Sequence, residues 1–190
     1  MWSDEEAQSA PKIVRTDLGI RFADETLLDR DSTGVLWTRV SSRPGHGRPE
    51  FGQVHSLRQR RAMRRLLCQV CGGPADQNND GVLWLLRDYR DDWLNWPENM
   101  ANTYPPVCMP CALLSTRVCP ALRRGYVAVR ARQCPVSAVY GIRYEPRGPL
   151  LVPVEDTVPL SDRAIRWTVA AQLVRSLHGC TIVDLDRSAT

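Results

Sequence analysis

The chain has 190 residues, of which 43% are hydrophobic and 24% are charged, and its formal net charge is +4. These proportions are typical of a globular protein and exclude a wholly disordered or collagen-like chain. A transmembrane helix needs a run of about 18 apolar residues, and the sequence has no run of that length. The acidic segment 1–6 lacks the apolar core of a secretory signal, so we expect a cytoplasmic protein with no membrane partner.

The N-terminal half begins with a polar segment of mixed charge, residues 1–16, which we expect to be a disordered tail. Residues 17–190 are predicted to form a single domain. Hydrophobic periodicity and turn residues identify its first elements. In chain order they are a strand over 34–40, a loop over 41–53, a basic helix over 55–67 and a buried strand over 82–87.

The C-terminal half contains a predicted helix followed by several strands. The elements are a helix over 112–118, ended by Pro120, and strands over 126–130, 136–144 (with Gly141 as a bulge) and 150–154. Ser161 and Asp162 then predict the start of a C-terminal amphipathic helix that Gly179 is placed to end. Its apolar stripe recurs every four residues, at Ile165, Val169, Leu173 and Leu177.

A final strand is expected over 181–185. The order of helices and strands shows no alternating βα series and no glycine-rich phosphate loop. The sequence therefore predicts an α+β fold, which we expect to be a small mixed domain with short strands.

Seven cysteines occur in the chain, and four of them form two CxxC pairs. An odd number of cysteines without an export signal argues against a disulfide framework. Two thiolates in a tight turn can face one ion, and two such turns supply the tetrahedral sulfur set that zinc favours. The predicted Zn²⁺ ligands are Cys68, Cys71, Cys108 and Cys111.

Other uses of these cysteines remain open. A CxxC can be a redox dithiol, although the βαβ context of such motifs is missing. An iron–sulfur cluster also uses four thiolates, with Cys119 or Cys134 as a substitute ligand. Buried free thiols are a further alternative. Of the remaining three cysteines, Cys119 is the one expected near the metal, and the roles of Cys134 and Cys180 stay open.

The order of elements around the cysteines is a helix, a CxxC followed by Gly72 and Gly73, a strand or hairpin, and a CxxC that opens a second helix. This order resembles the treble-clef zinc fingers over about residues 57–120, and it implies a zinc-finger module there. The segment is also similar to the scaffold of HNH nucleases. The whole chain resembles uncharacterised proteins of high-GC actinobacteria, which implies a bacterial origin and no function.

The HNH resemblance implies a scaffold without the activity. That family needs a histidine general base between the cysteine pairs, and residues 72–107 contain none. The three histidines are His46, His55 and His178. Without a general base and a ligand for the catalytic metal, water cannot be activated. We therefore predict no catalytic residue from this resemblance.

Basic residues on both sides of the finger are candidates for phosphate contacts. The alternative is a solvated helix face that pairs with the acidic residues Asp88, Asp91 and Asp92. The net charge alone does not predict nucleic-acid binding. The candidate nucleic-acid contacts are Arg58, Arg60, Arg61, Arg64 and Arg65 on the helix, and Arg123 and Arg124 after the second pair.

Tryptophans between the two pairs are the candidates for a protein interface. We expect Trp84 in the core, and Trp93 and Trp96 as partly exposed partner-binding residues. Catalytic groupings such as His178 with Cys180 are weak. The sequence thus predicts a structural-zinc protein that acts as a nucleic-acid-binding or regulatory accessory. The alternatives are a protein–protein adaptor using the Trp-rich insert, and an enzyme with a site in the C-terminal half.

Overall fold

The computed structural model describes residues 1–5, 11–50 and 52–185. These residues form two α-helices, α1 (Ser56–Arg65) and α2 (Met109–Val118), and three short 3₁₀ helices, Ser3–Glu5, Pro120–Leu122 and Arg163–Trp167. They also form eleven strands: β1 (Ile13–Thr16), β2 (Gly19–Phe22), β3 (Leu36–Trp37), β4 (Gln77–Asn78), β5 (Gly81–Arg87), β6 (Ala101–Asn102), β7 (Tyr126–Gln133), β8 (Val136–Arg147), β9 (Leu150–Pro159), β10 (Thr168–Ser176) and β11 (His178–Val183). The predicted α+β class is confirmed.

The chain divides into two compact units, each made of two segments. The first unit comprises Met1–Arg58 and Ala138–Leu173, and the second comprises Gln59–Ser137 and Val174–Thr190. The expectation of a single domain over 17–190 stays a prediction. Residues 59–120 of the predicted finger module all belong to the second unit.

The first unit contains the β1–β2 hairpin and a sheet in the order β3-β10-β8-β9. Strand β3 is parallel to β10, and β8 and β9 form a long antiparallel hairpin. Its core clusters around Ile20, Phe22 and Leu36, with Tyr144 and Trp167 packed against them.

The second unit is built on an antiparallel sheet in the order β11-β7-β5-β4. Strand β5 lies between β7 and β4, and its residues from Gly81 to Leu86 are all buried. This burial explains its nearly continuous apolar sequence, which predicted a buried strand. Leu83 and Leu85 of β5 pack with Val107 and with Ala112 of α2, and Cys68 belongs to the same core.

The predicted C-terminal helix is wrong. Asp162 does cap a helical turn, because its side chain accepts the N–H of Ala164, but that turn is the 3₁₀ helix Arg163–Trp167. Residues 168–176 continue as β10. An interval of four residues is two strand periods as well as about one helical turn, so the stripe through Val169 and Leu173 fits one face of a strand equally well.

Gly141 does not form the expected bulge. It pairs in regular register with Asp156 of β9. A Cβ atom at this position would lie 2.2 Å from the carbonyl oxygen of Val169. The glycine therefore allows the backbones of β8 and β10 to approach each other.

Part of the predicted disordered tail is ordered. Residues Ser3–Glu5 form a 3₁₀ helix and Ile13–Thr16 form β1, while residues 6–10 lie outside the described residues. The buried carboxylate of Glu5 accepts hydrogen bonds from the N–H groups of Trp2 and Arg43. The polar composition of the segment did not reveal its ordered structure, because one of the groups that donate to Glu5 belongs to Arg43, which is distant in the chain.

Candidate metal centre

The first cysteine pair lies in a tight turn directly after α1. The N–H of Cys68 donates to the carbonyl of Gly73 at 2.7 Å, and the N–H of Gly72 donates back to the carbonyl of Cys68 at 2.9 Å. Gly72 has a φ of 72°, a backbone conformation that residues with a side chain adopt only with strain. The glycine after the CxxC therefore closes a turn in which both sulfurs project from the same bend.

The second pair lies at the N-terminus of α2. Cys108 is the N-cap residue, and Cys111 is in the first turn of the helix. Pro110 fits this first turn because a helix needs no hydrogen bond from its first N–H groups. The exposed N–H groups and the helix dipole favour negative charge at this end, which suits thiolate ligands.

Backbone hydrogen bonds hold the two bends together. The N–H of Gln69 donates to the carbonyl of Pro106 at 3.0 Å, and the N–H of Asp76 donates to the carbonyl of Val107 at 3.0 Å. On its other side Val107 donates to the carbonyl of Leu83 in β5, also at 3.0 Å. The residues just before the second pair are thus fixed between the first bend and the sheet.

The four cysteines form one cluster. Their Sγ atoms all lie within 4.8 Å of one another, and the Sγ atoms of Cys71 and Cys108 are 3.8 Å apart. Four sulfurs bound at about 2.3 Å to one tetrahedral ion are separated by about 3.8 Å. The spacing, together with four soft donors, fits a single metal ion held by Cys68, Cys71, Cys108 and Cys111.

Electrostatics in the cluster also favour a bound cation. Burial acts to raise the pKa of the Cys68 thiol, but backbone N–H groups of Cys71, Cys108 and Val70 donate to its sulfur and bring its pKa to about 7. Burial, together with the neighbouring thiols, raises the pKa of Cys111 to about 12. Several thiolates in so small a space repel one another, and a divalent ion removes that penalty.

The remaining cysteines lie outside this cluster. Cys119 is the C-cap residue of α2, so the helical rise separates it from Cys111 by about 12 Å and from Cys108 by about 16 Å. The expectation that Cys119 lies near the metal is therefore wrong. Among the described residues, neither Cys119 nor Cys134 joins the four-cysteine group, so neither is placed as a substitute cluster ligand.

The candidate arginines of α1 fall into different environments. Arg58 forms a two-pronged ion pair with the buried Glu5, at 2.6 and 2.8 Å. Its hydrogen bonds hold the pKa of Glu5 well below the usual range, although burial opposes the shift. Arg60 is half-buried, whereas Arg61, Arg64 and Arg65 are exposed. The anticipated acidic partner Asp88 pairs with Arg90 instead, at 2.6 Å.

Arg123 and Arg124 are exposed residues between α2 and β7. Sequence reasoning did not single out Arg117, which is exposed in the last turn of α2. Its spacing of three residues from Leu114 is the signal that places both on one helix face.

The tryptophans of the insert are not equivalent. Trp84 is fully buried in β5, as expected. Trp96 is only 6% exposed, so it does not present its ring to a partner in this conformation. Trp93 is 43% exposed and packs edge-to-face on Trp96, with 6.4 Å between ring centroids. Of the two predicted partner-binding rings, the structure leaves Trp93 accessible.

The histidines do not contribute to the cysteine cluster. His55 Nε2 contacts the carbonyl of Ser41 at 2.9 Å, and His178 Nδ1 contacts Asn99 Oδ1 at 2.9 Å. Burial and the neighbouring Glu98 raise the pKa of Cys180 to about 12, so its thiol is not an activated nucleophile beside His178.

Charge is distributed unevenly between the units. The described residues of the second unit include 12 arginines and 7 acidic residues, a formal charge of +5. Those of the first unit include 12 basic and 12 acidic residues. The unit that contains the cysteine cluster therefore accounts for the net positive charge.

Neither described α-helix is long and apolar enough to cross a membrane. No protein-family model matches the chain, and no curated protein or solved structure matches it either.

Proposed function

We propose that the chain binds one structural Zn²⁺ through Cys68, Cys71, Cys108 and Cys111, and that the second unit acts as a nucleic-acid-binding or regulatory accessory. The observation that carries the metal assignment is the convergence of four sulfurs within 4.8 Å. Four protein ligands fill a tetrahedral shell and leave no position for a substrate, which is typical of a structural site.

The treble-clef resemblance is supported by the order of elements around the cluster. The first pair follows α1, a short β4–β5 hairpin comes next, and the second pair opens α2. This is the succession of elements on which the resemblance rests. We propose a treble-clef-like finger on that basis.

Zinc is favoured over an iron–sulfur cluster for two reasons. Sulfur-only tetrahedral sites of two CxxC pairs are common for structural zinc. The sulfurs are spaced for one ion, and a multi-iron cluster would require them to lie further apart. Bound zinc would fix the start of α2 against the bend that follows α1.

The nucleic-acid surface that we propose consists of Arg61, Arg64 and Arg65. They are exposed at the C-terminal end of α1, immediately before the first cysteine pair. Four thiolates and one Zn²⁺ together carry a charge of −2, so the second unit keeps a positive formal charge when the metal is bound. Guanidinium groups in such a field neutralise phosphates and displace counterions.

The test is the salt dependence of binding to a short DNA duplex and to single-stranded RNA, measured by fluorescence anisotropy. Removing one arginine that neutralises a phosphate should make the slope of log K against log salt shallower by about 1. We expect Arg61→Glu/Arg65→Glu to weaken binding and flatten this slope by about 2. Arg21→Glu/Arg147→Glu, which changes two exposed arginines of the first unit, is the matched control and should bind as the wild type does.

If the wild type fails to bind either nucleic acid at low salt, this part of the proposal is rejected. The adaptor alternative would then gain support from Trp93 and its neighbour Leu94, which is 88% exposed beside Asp91 and Asp92. An exposed aromatic residue next to an exposed leucine is typical of an interface hot spot.

A further inference from the structure

Two leucines at the tip of one turn of the first unit are almost fully exposed. Leu27 is 97% exposed and Leu28 is 94% exposed. They occupy the central positions of a turn that the N–H of Asp29 closes onto the carbonyl of Thr26 at 3.1 Å. Such positions favour Pro, Asn, Asp and Gly. Neither turn geometry nor burial therefore explains two adjacent leucines.

The turn that carries them is firmly anchored. The buried carboxylate of Asp29 accepts the N–H and the hydroxyl of Thr26, at 2.6 and 3.0 Å. It also accepts two hydrogen bonds from Arg39, at 2.7 and 2.8 Å. Arg39 in turn lies over the buried ring of Phe22. Because the leucines are already held in place, docking them orders little additional chain.

The surroundings of this turn are acidic. Residues 24–31 contain four carboxylates and one arginine, and Arg39 adds a second positive charge. A net charge of about −2 around the leucines repels an anionic membrane. The turn instead fits an apolar surface whose edge carries positive charges.

The second unit presents such a surface at the C-terminal end of α2. Leu114 and Val118 are each more than half exposed, and their spacing of four residues places them on one helix face. Residues 109–125 contain three arginines and no acidic residue. These arginines, Arg117, Arg123 and Arg124, have no side-chain ion pair or hydrogen bond with any residue that the structure describes.

We propose that the Leu27–Leu28 turn of one copy docks on the α2 surface of a second copy, so that the chain associates head to tail. The leucines would contact Leu114 and Val118, and the net negative charge that remains around the turn after its pairing with Arg30 and Arg39 would face the three arginines. Charge and apolarity are complementary on these two surfaces. This inference assigns Arg123 and Arg124 to a protein contact instead of to nucleic acid.

The proposed contact determines the size and the strength of the assembly that we expect. Two different surfaces are joined, so the copy at one end of the assembly keeps a free turn and the copy at the other end keeps a free α2 surface, and the assembly can grow beyond a dimer. Two leucines and a short helix face form a small interface, so the association is expected to be weak and to depend on protein concentration.

Sedimentation equilibrium of the full metal-loaded chain at low salt, over a range of protein concentrations up to hundreds of micromolar, tests the proposal. The weight-average mass of the wild type should rise above 21.5 kDa as concentration increases. Leu27→Ser/Leu28→Ser and, separately, Leu114→Ser/Arg117→Glu should both stay at the monomer mass. All four positions are exposed, and circular dichroism checks that each variant is folded.

An equimolar mixture of these two variants is the decisive sample. The first variant keeps an intact α2 surface and the second keeps an intact turn, so the mixture should form a dimer and nothing larger. A variant of two other exposed leucines in the first unit, Leu18→Ser/Leu150→Ser, is the matched control and should associate as the wild type does.

A wild type that remains monomeric at the highest concentration overturns the proposal. So does a mixture that stays monomeric, or a turn variant that associates as strongly as the wild type. If Trp93→Ser/Leu94→Ser abolishes association while the turn variant does not, the segment that docks on α2 is the one around Trp93 and Leu94. That result would also overturn the proposal. Binding of the wild type, but not the turn variant, to anionic vesicles would point to a membrane and also contradict this contact.

Discussion

At the scale of single residues, Cys108 is both the N-cap residue of α2 and a member of the four-cysteine cluster. Its sulfur lies 3.8 Å from that of Cys71 on the other bend. Burial raises the pKa of its thiol, while the backbone N–H of Cys111 donates to the same sulfur and opposes that shift. Replacing Cys108 with serine therefore removes one of the four sulfur donors, while a serine at this position can still cap α2.

We predict that Cys108→Ser loses the metal and lowers the free energy of unfolding by about 4 kcal/mol or more, because metal binding and folding are coupled. The measurements are metal content after dialysis and urea denaturation. Cys119→Ser is the control, since it changes a cysteine at the opposite end of the same helix. Equal losses in both variants would argue against a metal role for Cys108.

The sequence predicted the four clustered cysteines because the CxxC spacing alone places two sulfurs in one bend. The role of Arg58 could not be predicted in the same way. Its partner Glu5 is 53 residues away in the chain and lies in a segment whose composition suggests disorder. The residues next to an arginine in the sequence do not show whether its guanidinium pairs with a buried carboxylate or is exposed and able to contact a phosphate.

At the scale of elements, helix α1 and strand β5 were predictable for different reasons, the helix from its periodicity and the strand from its short length and apolar composition. Strand β5 is short and apolar throughout, and α1 has a polar face that a strand could not separate from its apolar positions. Strand β10 was mistaken for a helix because a four-residue interval suits both periods. Pairing with β3 and β8, which are distant in sequence, decides between the two.

The backbones of β8 and β10 approach each other closely at Gly141. Gly141→Ala should lower the free energy of unfolding by about 1–3 kcal/mol, because its Cβ atom would meet the backbone of Val169 and force the strands apart. Denaturation with urea measures the change. Gly52→Ala is the control, because a Cβ atom there meets nothing within 4 Å. Equal stability of the two variants would contradict the close approach.

At the scale of the whole molecule, the cysteine cluster and the net positive charge belong to the second unit, and the exposed leucine turn belongs to the first. The sequence revealed the cysteine pairs and the basic helix, since both are local patterns. Each of the two compact units is assembled from segments that are far apart in the chain, which local patterns cannot predict. Surfaces for phosphate and for a second copy are therefore proposed on separate elements, α1 and α2.

We propose that one zinc ion organises the two CxxC bends, and elemental analysis of the purified chain is the direct test of that ion. We predict one zinc per 21.5 kDa chain, with no stoichiometric iron or acid-labile sulfide, and removal of the ion by a strong chelator together with loss of folded structure. A stable folded chain without stoichiometric metal, or one containing iron and sulfide, would contradict the account.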